Sequence, residues 1–293
     1  MADYLEKDYV EAFDTEAKGE FINGTQIEVI RKGSRGKFSH ALFDFDGTFS
    51  LIREGWQSIM FGLMFEVLSN TPKAESKEEL TAFIDKLILE TTGKQTIYQM
   101  IDLANEVEKR GGKALKPLDY KKEYSDRLMV KINDRREGLR NGSIPREDLL
   151  VPGTLEMLRG LKEKGVIMYC ASGTDDCYCK EEARLLGVDE FFGDNIYGAL
   201  DDYKKSSKAL VIKNILEENK LSGEKLLGFG DGFVEIEAVK SVGGYAIGIA
   251  IDEKNLNRQI DQGKKKRLLG VGADIIIPDF LDAEKLIDFL FEV

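Results

Sequence analysis

Short apolar runs alternate with amphipathic stretches over most of the chain. Lys37 to Phe45, Val166 to Ala171, Lys225 to Phe229, Tyr245 to Ala250 and Ala273 to Ile277 each carry consecutive apolar residues and predict buried strands. Between them the pattern changes from a run to a stripe. Leu155, Leu158 and Leu161 fall on one helical face, and Leu210, Ile212 (or Val211), Ile215 and Leu216 repeat that spacing before the next strand. Strands of this kind, alternating with amphipathic helices, predict an α/β fold: a parallel sheet with helices on both faces.

Residues 53–149 break the alternation. FGLMFEVL, ELTAFIDKLILE, TIYQMIDLANEVEKR and YKKEYSDRLMVKIND read as helices with no strand among them, which predicts an all-helical insertion. Pro152 and Gly153 mark the return to the core, since Pro is tolerated at a helix start and Gly punctuates the joint. Residues 1–37 read as an N-terminal extension, with a polar start, a short extended candidate at Thr25 to Arg31 and the turn-rich KGSRGK. The expected division is an extension over 1–37, an α/β core from 38–52 and 150–293, and a helical domain over 53–149.

A length of 293 residues suits one large domain or a core with an insertion, and either can bury a substantial core. Fifty-three acidic against 42 basic residues leave a formal charge of -11, which repels phosphate backbones and anionic lipid headgroups. Nucleic-acid and membrane partners are therefore not expected. The acidic start MADYLEKDYVEAFD lacks the basic and apolar regions of a secretory signal, and no run of about 18 apolar residues occurs. These features predict a soluble, cytoplasmic chain. Cys170, Cys177 and Cys179 form an odd, clustered set, unlike a disulfide framework, and predict reduced thiols. The basic stretch Lys264 to Arg267 predicts a solvated helix face. His40, at the end of its strand opposite Asp44, reads as structural.

Ligands of an open parallel sheet gather outside the carboxyl ends of its strands. The first strand here ends in Asp44 and Asp46, the second in Ser172 and Gly173, and KLLGFGDGFVE ends in Asp231 with Glu235 four residues on. Lys208 stands at the start of the intervening helix, and Lys204, Lys205 and Lys208 all lie within five residues. Carboxylates brought to one sheet edge repel one another unless a cation sits between them. A hard divalent ion with oxygen ligands is the usual answer, so Mg²⁺ is the predicted metal; zinc would call for Cys or His ligands that this sequence does not offer. The Ser172 hydroxyl, the Lys208 ammonium and the N–H groups near Gly173 supply the anion-binding half of a phosphoryl clamp.

DFDGT, ASGT, a Lys at a helix start and GDGFVE, in that order from Asp44 to Glu235, resemble the four motifs of the haloacid-dehalogenase-like hydrolases. GGYAIGIAID and GADIIIPDF resemble the last two strands of that Rossmann-like core. The resemblance implies that Asp44 is a nucleophile that forms an aspartyl-phosphate, and that Asp46 is the general acid and base. Ser172 and Lys208 would hold the non-bridging phosphate oxygens, with Lys208 also neutralising charge on Asp44. Mg²⁺ would be held by Asp44, the backbone carbonyl of Asp46 and Asp231, with Glu235 acting directly or through water. Thr48 would support the turn that carries Asp46. Helix-start context and spacing to GDG, as in phosphoserine-phosphatase-like members, select Lys208 over Lys204 and Lys205.

The insertion falls between the first and second motifs, which resembles the helical cap that closes over the site in many members. Arg53, Glu54 and Trp56 follow the first motif and are candidates to line that interface, while Trp56 equally suits the apolar spacing it shares with Ile59, Met60 and Leu63. The function implied is a Mg²⁺-dependent phosphatase of a small phosphorylated metabolite, a sugar phosphate among the candidates. Two further readings stand beside it. One is a phosphomutase of the β-phosphoglucomutase-like type, and the other a phosphate-ligand binding or regulatory module without turnover.

Overall fold

The computed structural model describes residues 13–33, 35–200 and 207–292. In chain order, β1 (Glu20–Phe21), β2 (Glu28–Val29) and β3 (His40–Phe43) lead into α1 (Trp56–Ser69), α2 (Lys77–Thr91), α3 (Thr96–Lys109) and α4 (Pro117–Asn141). Then follow α5 (Thr154–Glu163), β4 (Ile167–Asp175), α6 (Asp176–Leu186), the short α7 (Asp189–Phe192), β5 (Ile196–Ala199) and α8 (Lys208–Glu218). The chain continues with β6 (Leu226–Gly230), α9 (Phe233–Ser241), β7 (Tyr245–Ile249), α10 (Gln262–Gly270), β8 (Ile275–Ile277) and α11 (Ala283–Phe291). Two compact units result: a helical one, Gly55–Asp134, and an α/β one made of the described residues up to Glu54 and from Arg135 onward.

In the α/β unit the described strands form one sheet in the order β1-β2-β8-β7-β6-β3-β4-β5. Strands β3 to β8 run parallel, as the sequence predicts, and the β1-β2 hairpin adds an antiparallel edge on β8. The stretch set apart as an extension therefore contributes to the core sheet, with β2 inside the extended candidate Thr25 to Arg31. Its hairpin turns at Gly24, φ 72°, and buried Glu28 is paired with Lys265 of α10 at 2.6 Å. Strand β5 is the other addition. Its exposed Tyr197 and its glycine interrupt the apolar run that marks the inner strands.

Successive residues of β3 point to opposite faces of the sheet and pack on different partners. Leu42 joins Ile212 and Ile215 of α8 and Ile236 and Val239 of α9. Phe43 stacks on Phe229, its register partner on β6, with ring centroids 4.4 Å apart, and meets Phe49 and Phe192 edge to face. Burying one such ring contributes about 2–3 kcal/mol, so the strand that carries the first motif is anchored from both sides. The predicted stripe Leu155, Leu158 and Leu161 is the buried face of α5.

In the helical unit, α2 opens with a reciprocal capping box between Ser76 and Glu79. Met60, Leu63, Met64 and Leu68 are the buried face of α1, and Ile97, Met100, Leu103 and Val107 are buried on α3. This unit ends at Asp134 and not at residue 149, because the chain beyond is tied to the segment after the first motif. Arg135 Nη1 donates to the carbonyls of Ile52 (2.9 Å) and Glu54 (2.8 Å), and the Leu51 N–H donates to the Leu149 carbonyl (2.9 Å). No described helix is long and apolar enough to cross a membrane.

Candidate active site

Parallel register sets His40–Phe43 of β3 beside Ile167–Cys170 of β4 and Leu226–Phe229 of β6. The residues next in line therefore meet at one sheet edge, and the Asp44 N–H donates to the Phe229 carbonyl at 2.9 Å as the last rung. Beyond Asp44 the chain turns back, with the N–H groups of Phe49 and Ser50 both donating to the Phe45 carbonyl. Gly47 is required twice over. Its φ is 74°, and the Asp231 carboxylate occupies the space where a Cβ would stand. The Thr48 hydroxyl oxygen accepts the N–H of Asp231 at 3.1 Å, so Thr48 fastens the first motif to the strand end bearing Asp231 as well as lying in the turn after Asp46.

Strand β4 does not stop at Ala171. It runs on through Ser172 and Gly173 to Asp175 with a register shift, because β5 continues alongside and pairs Ala171 with Tyr197 and Asp175 with Ala199. Within that stretch the Ser172 Oγ accepts the Thr174 N–H at 3.0 Å, and the Thr174 hydroxyl donates to Asp46 Oδ2 at 2.7 Å.

Asp44, Asp231 and Glu235 are buried, and each offers an oxygen within 4.8 Å of the other two. Lys208, the first residue of α8, places Nζ 2.8 Å from Asp44 Oδ1 and 2.7 Å from Glu235 Oε2. The other Glu235 oxygen accepts the Gly232 N–H at 2.7 Å. Lys204 and Lys205 lie outside the described residues. Burial pushes the Asp44 carboxyl well above the usual range; Lys208 opposes this, while Glu235 and Asp231 add to it. Oxygen-only donors carrying more negative charge than Lys208 offsets fit a hard divalent cation.

The cysteines and the histidine take no part in this cluster. Cys170, Cys177 and Cys179 are free thiols, and burial, with Cys179 alongside, pushes the Cys170 thiol up. His40 is buried at the far end of β3, hydrogen-bonded to the Ser39 hydroxyl at 2.9 Å and stacked on Tyr169.

Asp46 has different surroundings. Its carboxyl is pushed up to about 6, first by burial and also by Glu182 and Asp231, against the opposing pull of Arg53 and Thr174. Arg53 Nε stands 3.8 Å from Asp46 Oδ1. Fully buried Glu182 grips Arg53 through two hydrogen bonds of 2.9 and 2.8 Å, and the guanidinium lies 5.7 Å from the centre of the Tyr178 ring. Of the other residues following the first motif, Glu54 is paired with Arg135 at 2.7 Å. Trp56 is the half-buried first residue of α1 in the helical unit.

Lys264 to Arg267 is not a uniformly solvated face. Lys264 is largely buried, with Nζ 2.8 Å from Asp231 Oδ2 and 2.6 Å from Glu253 Oε1, while Lys265 pairs with buried Glu28. Lys266 alone of these three keeps the expected exposure, in a surface pair with Glu16. Sequence reasoning also missed Thr174 and Glu182. Thr174 carried a signal, since it lies two residues past Ser172 and so on the same side of an extended strand.

The chain belongs to the haloacid dehalogenase-like hydrolases, with residues 38–243 matching that family. It is 26% identical over 140 residues to a phosphoserine phosphatase of Archaeoglobus fulgidus; the match takes in 44% of this chain and 40% of that protein. The chain thus spans less than half the length of that curated relative. Among solved structures it is similar to a predicted phosphoglycolate phosphatase from Haemophilus somnus, at 22% identity and a TM-score of 0.54, covering 85% of this chain and 98% of that one. It is likewise similar to a β-phosphoglucomutase from Clostridium difficile, at 13% identity and a TM-score of 0.57, covering 87% and 98%. At these identities the structural likeness is one of fold.

Proposed function

We propose that this protein is a Mg²⁺-dependent phosphatase that hydrolyses a small phosphorylated metabolite, a sugar phosphate among the candidates, through an aspartyl-phosphate on Asp44. The observation that carries the reading is a pair of neighbouring carboxylates set for different work. Asp44 is ion-paired to Lys208 beside Asp231 and Glu235, whereas Asp46 is held by Thr174 with its carboxyl at about 6. The phosphoserine phosphatase named among the relatives supports the same ester class.

Asp44 attacks phosphorus, so that its bond to phosphorus forms while the bond to the alkoxide breaks. Protonated Asp46 gives its proton to the departing oxygen and, once ionised, takes a proton from the water that attacks phosphorus next. The Asp44–phosphorus bond then breaks and inorganic phosphate leaves. Lys208, the Ser172 hydroxyl and the N–H groups near Gly173 meet the charge on the non-bridging oxygens. Asp44, Asp231 and the Asp46 carbonyl would hold Mg²⁺, which would supply positive charge against Asp44 and the phosphate. Glu235, with both oxygens already hydrogen-bonded, orients Lys208.

A panel of phosphate esters assayed with and without Mg²⁺ tests the reading. Wild type is expected to release phosphate only with the metal and without needing a bisphosphate, and Asp44→Asn to release none. A bisphosphate requirement would turn the reading to a phosphomutase, and equal turnover by Asp44→Asn would contradict it outright.

A further inference from the structure

Lys264 stands in the first turn of α10, where its own N–H donates to the Asp261 side chain at 2.8 Å. A helix start disfavours a cation, since the dipole there is positive. The helix therefore does not account for a lysine at this position. Its ammonium is instead turned inward onto Asp231 and Glu253, with the side chain 12% exposed. Burial works against that charge, but the two carboxylates outweigh it and hold the lysine above its ordinary range. Around the sheet edge, Lys208 is shared by Asp44 and Glu235 just as Lys264 is shared by Asp231 and Glu253. With all four carboxylates ionised, as a bound cation would favour, two ammonium groups leave two negative charges, which one divalent cation neutralises.

We propose that Lys264 is a built-in counter-cation for Asp231, and that Glu253 sets how much of its charge Asp231 feels, so that the pair tunes the affinity of the acid cluster for a divalent cation. The inference rests on the metal-dependent reading above and deepens it. Lys264 acts through Asp231 as a positioning residue. Removing its charge leaves Asp231 more negative and strengthens cation binding; neutralising Glu253 gives Asp231 the whole ammonium and weakens it. Neutralising both restores the original balance.

Isothermal titration of Mg²⁺ into the full chain, without substrate, tests this. Lys264→Gln is expected to bind about tenfold more tightly than wild type and Glu253→Gln about tenfold more weakly, as one added or removed charge near a divalent ion requires. The double variant should return to within about threefold of wild type, and Lys264→Arg, which keeps the charge, should match it. If Lys264→Gln does not fold, Glu253→Gln and the double variant still carry the test. Single variants that shift affinity in the same direction, or not at all, overturn the inference while leaving the metal-dependent reading standing. A wild type that binds no Mg²⁺ overturns both.

Discussion

Asp46 in the α/β unit and Asp102 in the helical unit are both pushed up to about 6, in each case first by burial. Their surroundings differ. Asp102 lies on α3 with buried Glu106 one turn on and Arg110 one turn further, and the charges acting on it are Lys94, Glu106 and Lys109. Glu106 and Lys109 share α3 with Asp102, Glu106 at the i,i+4 spacing that brings neighbours together on any helix, and Lys94 comes from the segment just before it. Asp46 is met by Arg53 from the loop after β3, Thr174 from β4, Glu182 from α6 and Asp231 from beyond β6. Burial is the largest cause in both, so a raised carboxyl does not by itself mark a proton donor. A proton donor needs, in addition, reacting groups within reach, and on the proposed reading the convergence of strand ends supplies them as Asp44, Ser172 and Lys208.

The largest effect expected is from Asp44→Asn, which removes the proposed nucleophile and should lower kcat by about 10⁴-fold or more in a phosphate-release assay. Asp46→Asn should cost about 10²–10⁴-fold in steady-state turnover, while the first burst of aryl alcohol from an aryl phosphate, whose leaving group needs no proton, should be slowed less. Glu182→Gln leaves Arg53 buried beside a neutral partner, so chemical denaturation should show a loss of about 3 kcal/mol together with a fall in kcat. Asp102→Asn should leave kcat within about twofold.

The stability effect of Asp102 has a definite sign. Its folded carboxyl titrates at about 6 against 3.8 for the ordinary group, so between those values the native state binds more protons than the unfolded chain. Stability is therefore lost as pH rises through that window. After discounting for solvent screening, Asp102→Asn should recover about 1–2 kcal/mol near neutral pH and flatten the profile in urea unfolding. An Asp102→Asn variant that loses activity as Asp46→Asn does would break the comparison.

How much of this was legible in the sequence follows the same divide. Buried strands are short apolar runs, and the polar residues at which they stop, Asp44, Ser172 and Asp231, mark the edge of the parallel sheet, so both can be read directly, although β4 itself continues past its apolar run to Asp175. Pairing between distant segments leaves no such mark. Nothing in the basic run distinguishes Lys264 from Lys266 until α10 is placed beside the end of β6, where one meets Asp231 and the other pairs with Glu16 on the surface. Glu182 reads as one of two adjacent glutamates on α6, and only the fold puts it on Arg53. The hairpin edge was obscured for a related reason, since two-residue strands are too short to establish a period.

The central claim is that phosphate passes through Asp44. It is tested most directly by mixing Asp46→Asn with Mg²⁺ and an aryl phosphate, quenching in acid within a turnover, and mapping phosphate by peptide mass spectrometry. Without Asp46 to activate water, the account predicts accumulation of one phosphate per chain on the peptide that contains Asp44. Aryl alcohol release with no phosphorylated peptide, or with phosphate on another residue, would contradict it.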